Sequence, residues 1–206
     1  MKKLAIILFF STLSHLGFAQ KNHPNIVYIL ADDLGYGDVS AYNPKGQIKT
    51  PNIDQLAKQG MKFLDAHSAS GVCTPTRYGI LTGRYPFRSQ LPVGVLRGYS
   101  KALLPKDQQT VASLLASAGY ETGVIGKWHL GLDWTLLPGN EGKLQQVDIK
   151  NELDPTLIDY SKKTSAGPNT VGFGYSYILP ASLDMPPYLY LENQHVEESP
   201  TGYTKG

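Results

Sequence analysis

A second cysteine is what this sequence lacks first: of 206 residues only Cys73 carries a thiol, so no disulfide can close within the chain. Runs of basic residues are missing too. Lys and Arg number 19 against 17 Asp and Glu, a formal net charge of +2. No stripe of the kind that tracks a nucleic-acid backbone results, and no nucleic-acid partner is expected. Beyond the N-terminus no apolar run approaches the ~20 residues of a membrane-spanning helix. What is present is 41% hydrophobic residues with 21 Gly and 14 Pro. That composition fits one globular α/β or α+β unit with many turns and excludes a disordered or fibrous chain.

The opening, "MKKLAIILFFSTLSHLGFAQ", has the parts of an export signal. Lys2 and Lys3 form a basic start, Leu4 to Phe10 an apolar stretch, and Gly17-Phe18-Ala19 a small-x-small cleavage site before Gln20. The apolar stretch is short for a bilayer and is broken by Ser11, Ser14 and His15. Residues 1–19 are therefore read as a cleaved signal peptide and residues 20–206 as the mature chain, periplasmic or secreted, with no membrane anchor. In an oxidising compartment a lone thiol is a buried bystander, half of an intermolecular bridge, or a reactive group.

Periodicity gives an alternation of elements. "NIVYIL" (25–30) reads as a fully buried strand of a parallel sheet. Thr50 caps a helix over 50–60, with Pro51 in its first position, Ile53, Leu56 and Ala57 on its apolar face, and Gly60 as its stop. Residues 61–69 read as a second strand, and "TPTRYGILTG" as a short helix started by Pro75 and closed by Gly83. Val111, Leu114, Leu115 and Ala118 give 107–120 one apolar helical face ended by Gly119. Val124 and Ile125 lie in a strand within 121–131 that runs into a loop. The stretch from Thr135 to Thr170 is polar, with one short helix expected from Asp154-Pro155, and 171–196 returns to aromatic, strand-like sequence. Strand, helix, strand, helix, strand argues for an α/β sheet with crossover helices. The last ten residues carry no closing element, and the chain reads as cut off there.

In open α/β sheets ligands bind beyond the carboxyl ends of the strands. Three polar groups occupy such ends: Asp32-Asp33, the segment Ser68–Arg77, and Lys127-Trp128-His129. Each alone is ordinary; together they form a site for an anionic substrate held by a hard cation. Paired carboxylates suit Ca²⁺ or Mg²⁺. Arg77 follows Cys73 by one helical turn, so both face one wall, and Cys73 sits at a helix N-terminus, which favours negative charge. In extended chain Lys127 and His129 point to one side of Trp128.

At these residues the chain resembles the sulfatase family. Cys73-Thr74-Pro75-Thr76-Arg77 is similar to its C-x-P-S/T-x-R signature, "NIVYILADDLGYGD" to its N-terminal metal-binding strand and "GVIGKWHLG" to its second signature, in matching order from about Asn25 to Leu191. The resemblance implies an alkaline-phosphatase-like mixed sheet flanked by helices, incomplete at the C-terminus, and hydrolysis of sulfate esters on a small molecule or glycan. It implies that a formylglycine-generating or maturase enzyme oxidises Cys73 to Cα-formylglycine. One hydroxyl of the hydrated aldehyde attacks sulfur and the substrate alcohol departs, leaving a covalent sulfate ester; the second hydroxyl then loses its proton and expels sulfate, regenerating the aldehyde. By the same resemblance Asp32, Asp33 and residue 73 ligate Ca²⁺, or alternatively Mg²⁺. Arg77 and Lys127 stabilise the hydrate and the sulfate charge. His129 holds a hydroxyl of the hydrate and takes its proton. Ser182, in "LPASLDMPP", helps bind the sulfate; Leu183 stands where some arylsulfatases have a histidine, and Asp184 reads equally as a pocket residue or a turn carboxylate.

The family's later Asp-Asn pair and downstream His and Lys have no counterpart here, and His195 is read as lying in a polar tail. Residues 1–206 alone are therefore expected to bind metal weakly and turn over poorly. Two other readings remain open at this point: a phosphonate monoester hydrolase or phosphodiesterase of the same superfamily, and a non-catalytic fragment that binds sulfated glycans.

Overall fold

A computed structural model describes residues 23–143 and 152–204. The expected signal peptide and residues 144–151 of the polar stretch lie outside the described residues. The chain divides into two compact units, residues 1–60 and 61–206. No helix among the described residues is long and apolar enough to cross a membrane.

In the first unit, the expected strand over 25–30 does not form: the residues make no ladder pairing, and Val27 and Ile29 are 80% and 83% exposed. The reason is that a strand exists only through its partners. A run apolar on both faces needs cover on both, and no strand lies within residues 23–60. Helix α1 (Pro51–Gln59) forms as expected, with Pro51 in its first turn and the Gly60 N–H closing on the Leu56 carbonyl. Thr50 and Ser40 exchange hydrogen bonds, the Ser40 N–H donating to Thr50 Oγ1 at 2.9 Å and the Thr50 N–H to Ser40 Oγ at 2.8 Å. The apolar face of α1 is not buried; Leu56 is exposed.

In the second unit the expected strand over 61–69 does not form, and Met61, Phe63 and Leu64 are exposed. Helix α2 (Cys73–Thr82) follows, capped at its C-terminal end by Gly83, whose φ of 65° is left-handed and whose N–H reaches the Gly79 carbonyl. Helix α3 (Val111–Ser117) is shorter than its periodic stretch because Thr110 fixes the start: its side chain accepts from the Ser113 N–H, and the Ser113 hydroxyl answers the Thr110 N–H. It buries Ala112, whereas Val111 and Leu114 face solvent; the apolar stripe is turned outward. The expected helix at Asp154-Pro155 is a single 3₁₀ turn, Pro155–Leu157, capped by the Asp154 carboxylate.

The sheet has four strands in the order β1 (Gly123–Lys127), β2 (Tyr175–Leu179), β3 (Leu191–Glu192) and β4 (His195–Val196). β1 and β2 are parallel, with Gly123 opposite Tyr175 and Lys127 opposite Leu179. The other pairs are antiparallel, so the sheet is mixed. His195 thus lies in a hairpin strand, opposite Glu192, and not in a tail. Behind the sheet, Leu96, Leu130, Leu132, Ile178 and Leu191 are fully buried with Trp128, Trp134 and Tyr99 beside them. Each such aliphatic side chain contributes about 1.5–3 kcal/mol of burial. This core fixes the carboxyl end of β1, where the polar residues cluster.

Candidate active site

Cys73 is the first residue of α2. Extended Val72 delivers the chain to that position, and Pro75 inside the first turn gives up an N–H that has no intrahelical partner there. The remaining first-turn N–H groups and the helix dipole favour an anion at residue 73. Lys127, the last residue of β1, brings its Nζ to 3.3 Å from Cys73 Sγ. Arg77, one turn further along α2, donates from Nη1 to the Lys127 carbonyl oxygen. The helix start and the strand end are thereby joined through both the side chain and the backbone of Lys127.

His129 does not continue the strand alternation. Its φ of 53° is left-handed, so the chain turns at the end of β1, and its ring is 1% exposed. The Trp128 and His129 N–H groups still donate to the Leu179 and Pro180 carbonyls, at 2.9 and 3.0 Å. His129 Nε2 lies 2.7 Å from the Leu96 carbonyl oxygen. A carbonyl only accepts, so Nε2 carries the proton. Nδ1 has no hydrogen-bond partner among the described residues. Burial pushes the pKa of His129 down; the Leu96 bond and the Asp184 carboxylate oppose that, and the Lys127 and Arg77 charges add to it. A neutral ring with a free lone pair on Nδ1 is a proton acceptor.

Thr74 completes the corner and was not picked out from sequence. It is fully buried, donates from Oγ1 to the His129 carbonyl at 3.0 Å and accepts the Leu96 N–H at 3.1 Å. One hydroxyl ties α2, the end of β1 and the loop at Leu96 together. The available signal was a hydroxyl residue between a candidate nucleophile and a helix-starting proline.

Ser182 is buried, and its hydroxyl donates to the Asp184 carboxylate. That bond, with the Asp184 backbone N–H, holds the Asp184 carboxyl below its ordinary range, and the Lys127 ammonium pushes the same way. Asp184 therefore sits within the electrostatic reach of the Lys127–His129 corner. Leu183 is 81% exposed and supplies no polar group.

Asp32 and Asp33 belong to the first unit. They form an exposed turn after residues 25–30, with Asp33 in the left-handed region at φ 56°. Among the described residues no three His, Cys, Asp or Glu side chains group as a metal site. The two carboxylates suit a hard cation in kind, but the described residues do not bring together the six to eight oxygens that Ca²⁺ takes, and a thiol at residue 73 is too soft a donor for it.

Residues 24–136 match the family model described as Sulfatase. The chain is 39% identical over 173 residues to an N-acetylgalactosamine-6-O-sulfatase of Bacteroides thetaiotaomicron, covering 84% of this chain and 30% of that protein. It is 47% identical over 128 residues to human arylsulfatase A, covering 61% of this chain and 25% of that one. A solved structure from work on the metabolism of multiple glycosaminoglycans by Bacteroides thetaiotaomicron aligns with a TM-score of 0.70 at 38% identity, over 85% of this chain and 32% of its own. The chain thus spans about a third or less of the length of these relatives.

Proposed function

The chain belongs to the sulfatase family, and from that membership we propose that it forms part of an enzyme that hydrolyses sulfate esters on glycans. The observation that carries the proposal is the Lys127 ammonium 3.3 Å from Cys73 at the start of α2. A cation and a helix N-terminus converge on the residue that resembles the family's modified cysteine.

We propose that Cys73 is converted by a maturase to Cα-formylglycine, whose hydrate supplies a nucleophilic oxygen that a thiol cannot. Around it, Lys127 and the first turn of α2 hold negative charge as it develops on the sulfate oxygens. Arg77 acts through the Lys127 carbonyl and keeps the strand end against the helix. His129 has its Nε2 proton committed to Leu96, so Nδ1 is the atom that accepts a proton during sulfate release.

Ser182 needs a refinement. A hydroxyl has one proton, and here it is spent on Asp184. Ser182 donates to a bound sulfate only after that bond is given up, so Asp184 controls when Ser182 becomes available. Asp32 and Asp33 are proposed as two ligands of Ca²⁺ or Mg²⁺, with an oxygen at residue 73 as a third. The described residues do not complete that set, and no step is routed through the ion. We also propose that residues 1–19 direct export, which brings the protein to polysaccharides outside the cytoplasm.

The test is a paired assay on matched sulfate and phosphate monoesters with protein purified from its native host. Faster release of sulfate is the expected result; faster release of phosphate overturns the reading.

A further inference from the structure

A cavity of about 600 Å³ opens in the second unit, walled by Tyr99, Pro186, Tyr188, Tyr190, Glu197 and Tyr203. The Pro186–Tyr190 part of its wall follows Ser182 by four to eight positions of chain. Its volume is within the range that holds small organic ligands.

The lining has an unusual balance. Tyr188, Tyr190 and Tyr203 are 46%, 48% and 61% exposed, so they serve the cavity and not the core, while Tyr99 is buried at its base. Among the described residues the charged groups of the lining are Glu197 and Glu198, with no Lys, Arg or His. Glu197 is oriented: it accepts the Tyr177 hydroxyl at 2.6 Å, and the Tyr177 ring stacks on Tyr190 with centroids 5.3 Å apart. The proline wall is fixed as well. A Cβ on Gly98 would lie 1.9 Å from the Pro186 carbonyl oxygen. The backbone two residues after Leu96, whose carbonyl holds His129, therefore packs directly against this wall.

Aromatic faces stack on the apolar faces of pyranose rings, and carboxylates accept hydrogen bonds from sugar hydroxyls. Two carboxylates with no cation among the described lining residues repel a sulfate or uronate group. We propose that this cavity binds a neutral pyranose, the unsulfated sugar unit of a glycan whose sulfate ester is presented to residue 73. The identification of that sugar as part of a substrate rests on the sulfatase reading; the binding itself does not.

The test titrates the chain with galactose and, separately, with galacturonate, following the emission of Trp134, whose ring lies 6.0 Å from that of Tyr99. A saturable change with galactose and about tenfold weaker binding of galacturonate are expected. Tyr188→Ala with Tyr203→Ala is expected to weaken galactose by at least about tenfold while leaving the thermal midpoint near that of the parent, because both rings are largely exposed. No saturable change with galactose, galacturonate bound equally well or better, or full binding by the double variant overturns the proposal. The signal does not involve Cys73. Galactose binding by protein whose residue 73 stays a thiol in the native host would sink the sulfatase reading and leave the pocket standing; the reverse pair of results would do the opposite.

Discussion

Residues 73–77 and 127–129 are separated by about fifty positions of chain, yet they meet through the Lys127–Cys73 contact, the Arg77 bond to the Lys127 carbonyl and the two hydrogen bonds of Thr74. Residues 25–34 are just as distinctive in sequence, an apolar hexapeptide leading into an aspartate pair, and they end exposed and unladdered. The difference lies in where the partners come from. The Cys73 corner finds its donors and acceptors within the second unit, on a helix start, a strand end and one loop. The hexapeptide needs a strand on its edge and cover on its faces, and residues 23–60 offer neither. A motif becomes a site only when the backbone that must hold it is also present.

That contrast can be broken or sharpened by substitution. The largest effect is expected at Lys127→Met, which removes the ammonium beside residue 73. Sulfate-ester turnover by the native-host protein should fall by about 10²–10³, the usual cost of one charge-stabilising donor, with folding retained; near-parental turnover would break the account of this corner. Next comes Thr74→Val, which keeps the shape and orphans the Leu96 N–H and the His129 carbonyl in a dry site. About 2–4 kcal/mol of stability should be lost in denaturant unfolding, two buried groups at 1–3 kcal/mol each with partial relaxation. A smaller effect is expected from pH. His129 has a folded pKa below its unfolded value because it is buried. Its contribution to stability is therefore fully present above about pH 6.5 and is lost as pH falls from there toward the folded pKa, while the unfolded state takes up the proton first. His129→Gln should flatten that slope between pH 6.5 and the folded value; an unchanged slope would assign it to other groups. The smallest effect is expected in the other region. Val27→Thr and Ile29→Thr should shift unfolding by no more than about 0.5 kcal/mol, the surface value; a loss of several kcal/mol would show that the hexapeptide is covered after all.

The same division explains how much could be read from the chain beforehand. Helix α2, its Gly83 stop, the turn of helix between Cys73 and Arg77, and the strand at Val124 and Ile125 are local signals, and the structure has each of them. The convergence of Cys73, Arg77 and Lys127 followed from putting polar groups at strand ends. What local pattern could not give was non-local. The left-handed turn at His129 overrides the expected alternation because its ring is drawn to the Leu96 carbonyl. Thr74 earns its place only once three segments meet around it. The outward stripe of α3 and the unpaired residues 61–69 show apolar periodicity without a surface to bury it against. The Ser182–Asp184 pair, two residues apart, was within reach of sequence, since a hydroxyl and a carboxylate at that spacing commonly bond to each other or to nearby backbone.

The central claim is that residue 73 is not a thiol in the working protein, and it is tested most directly by the mass of the tryptic peptide Phe63–Arg77 from protein made in its native host. The account expects a peptide lighter by the exchange of the cysteine thiol for an aldehyde. An intact thiol throughout that material would contradict it, and the Lys127 ammonium beside Cys73 would then have to be explained as the neighbour of an ordinary half-buried cysteine.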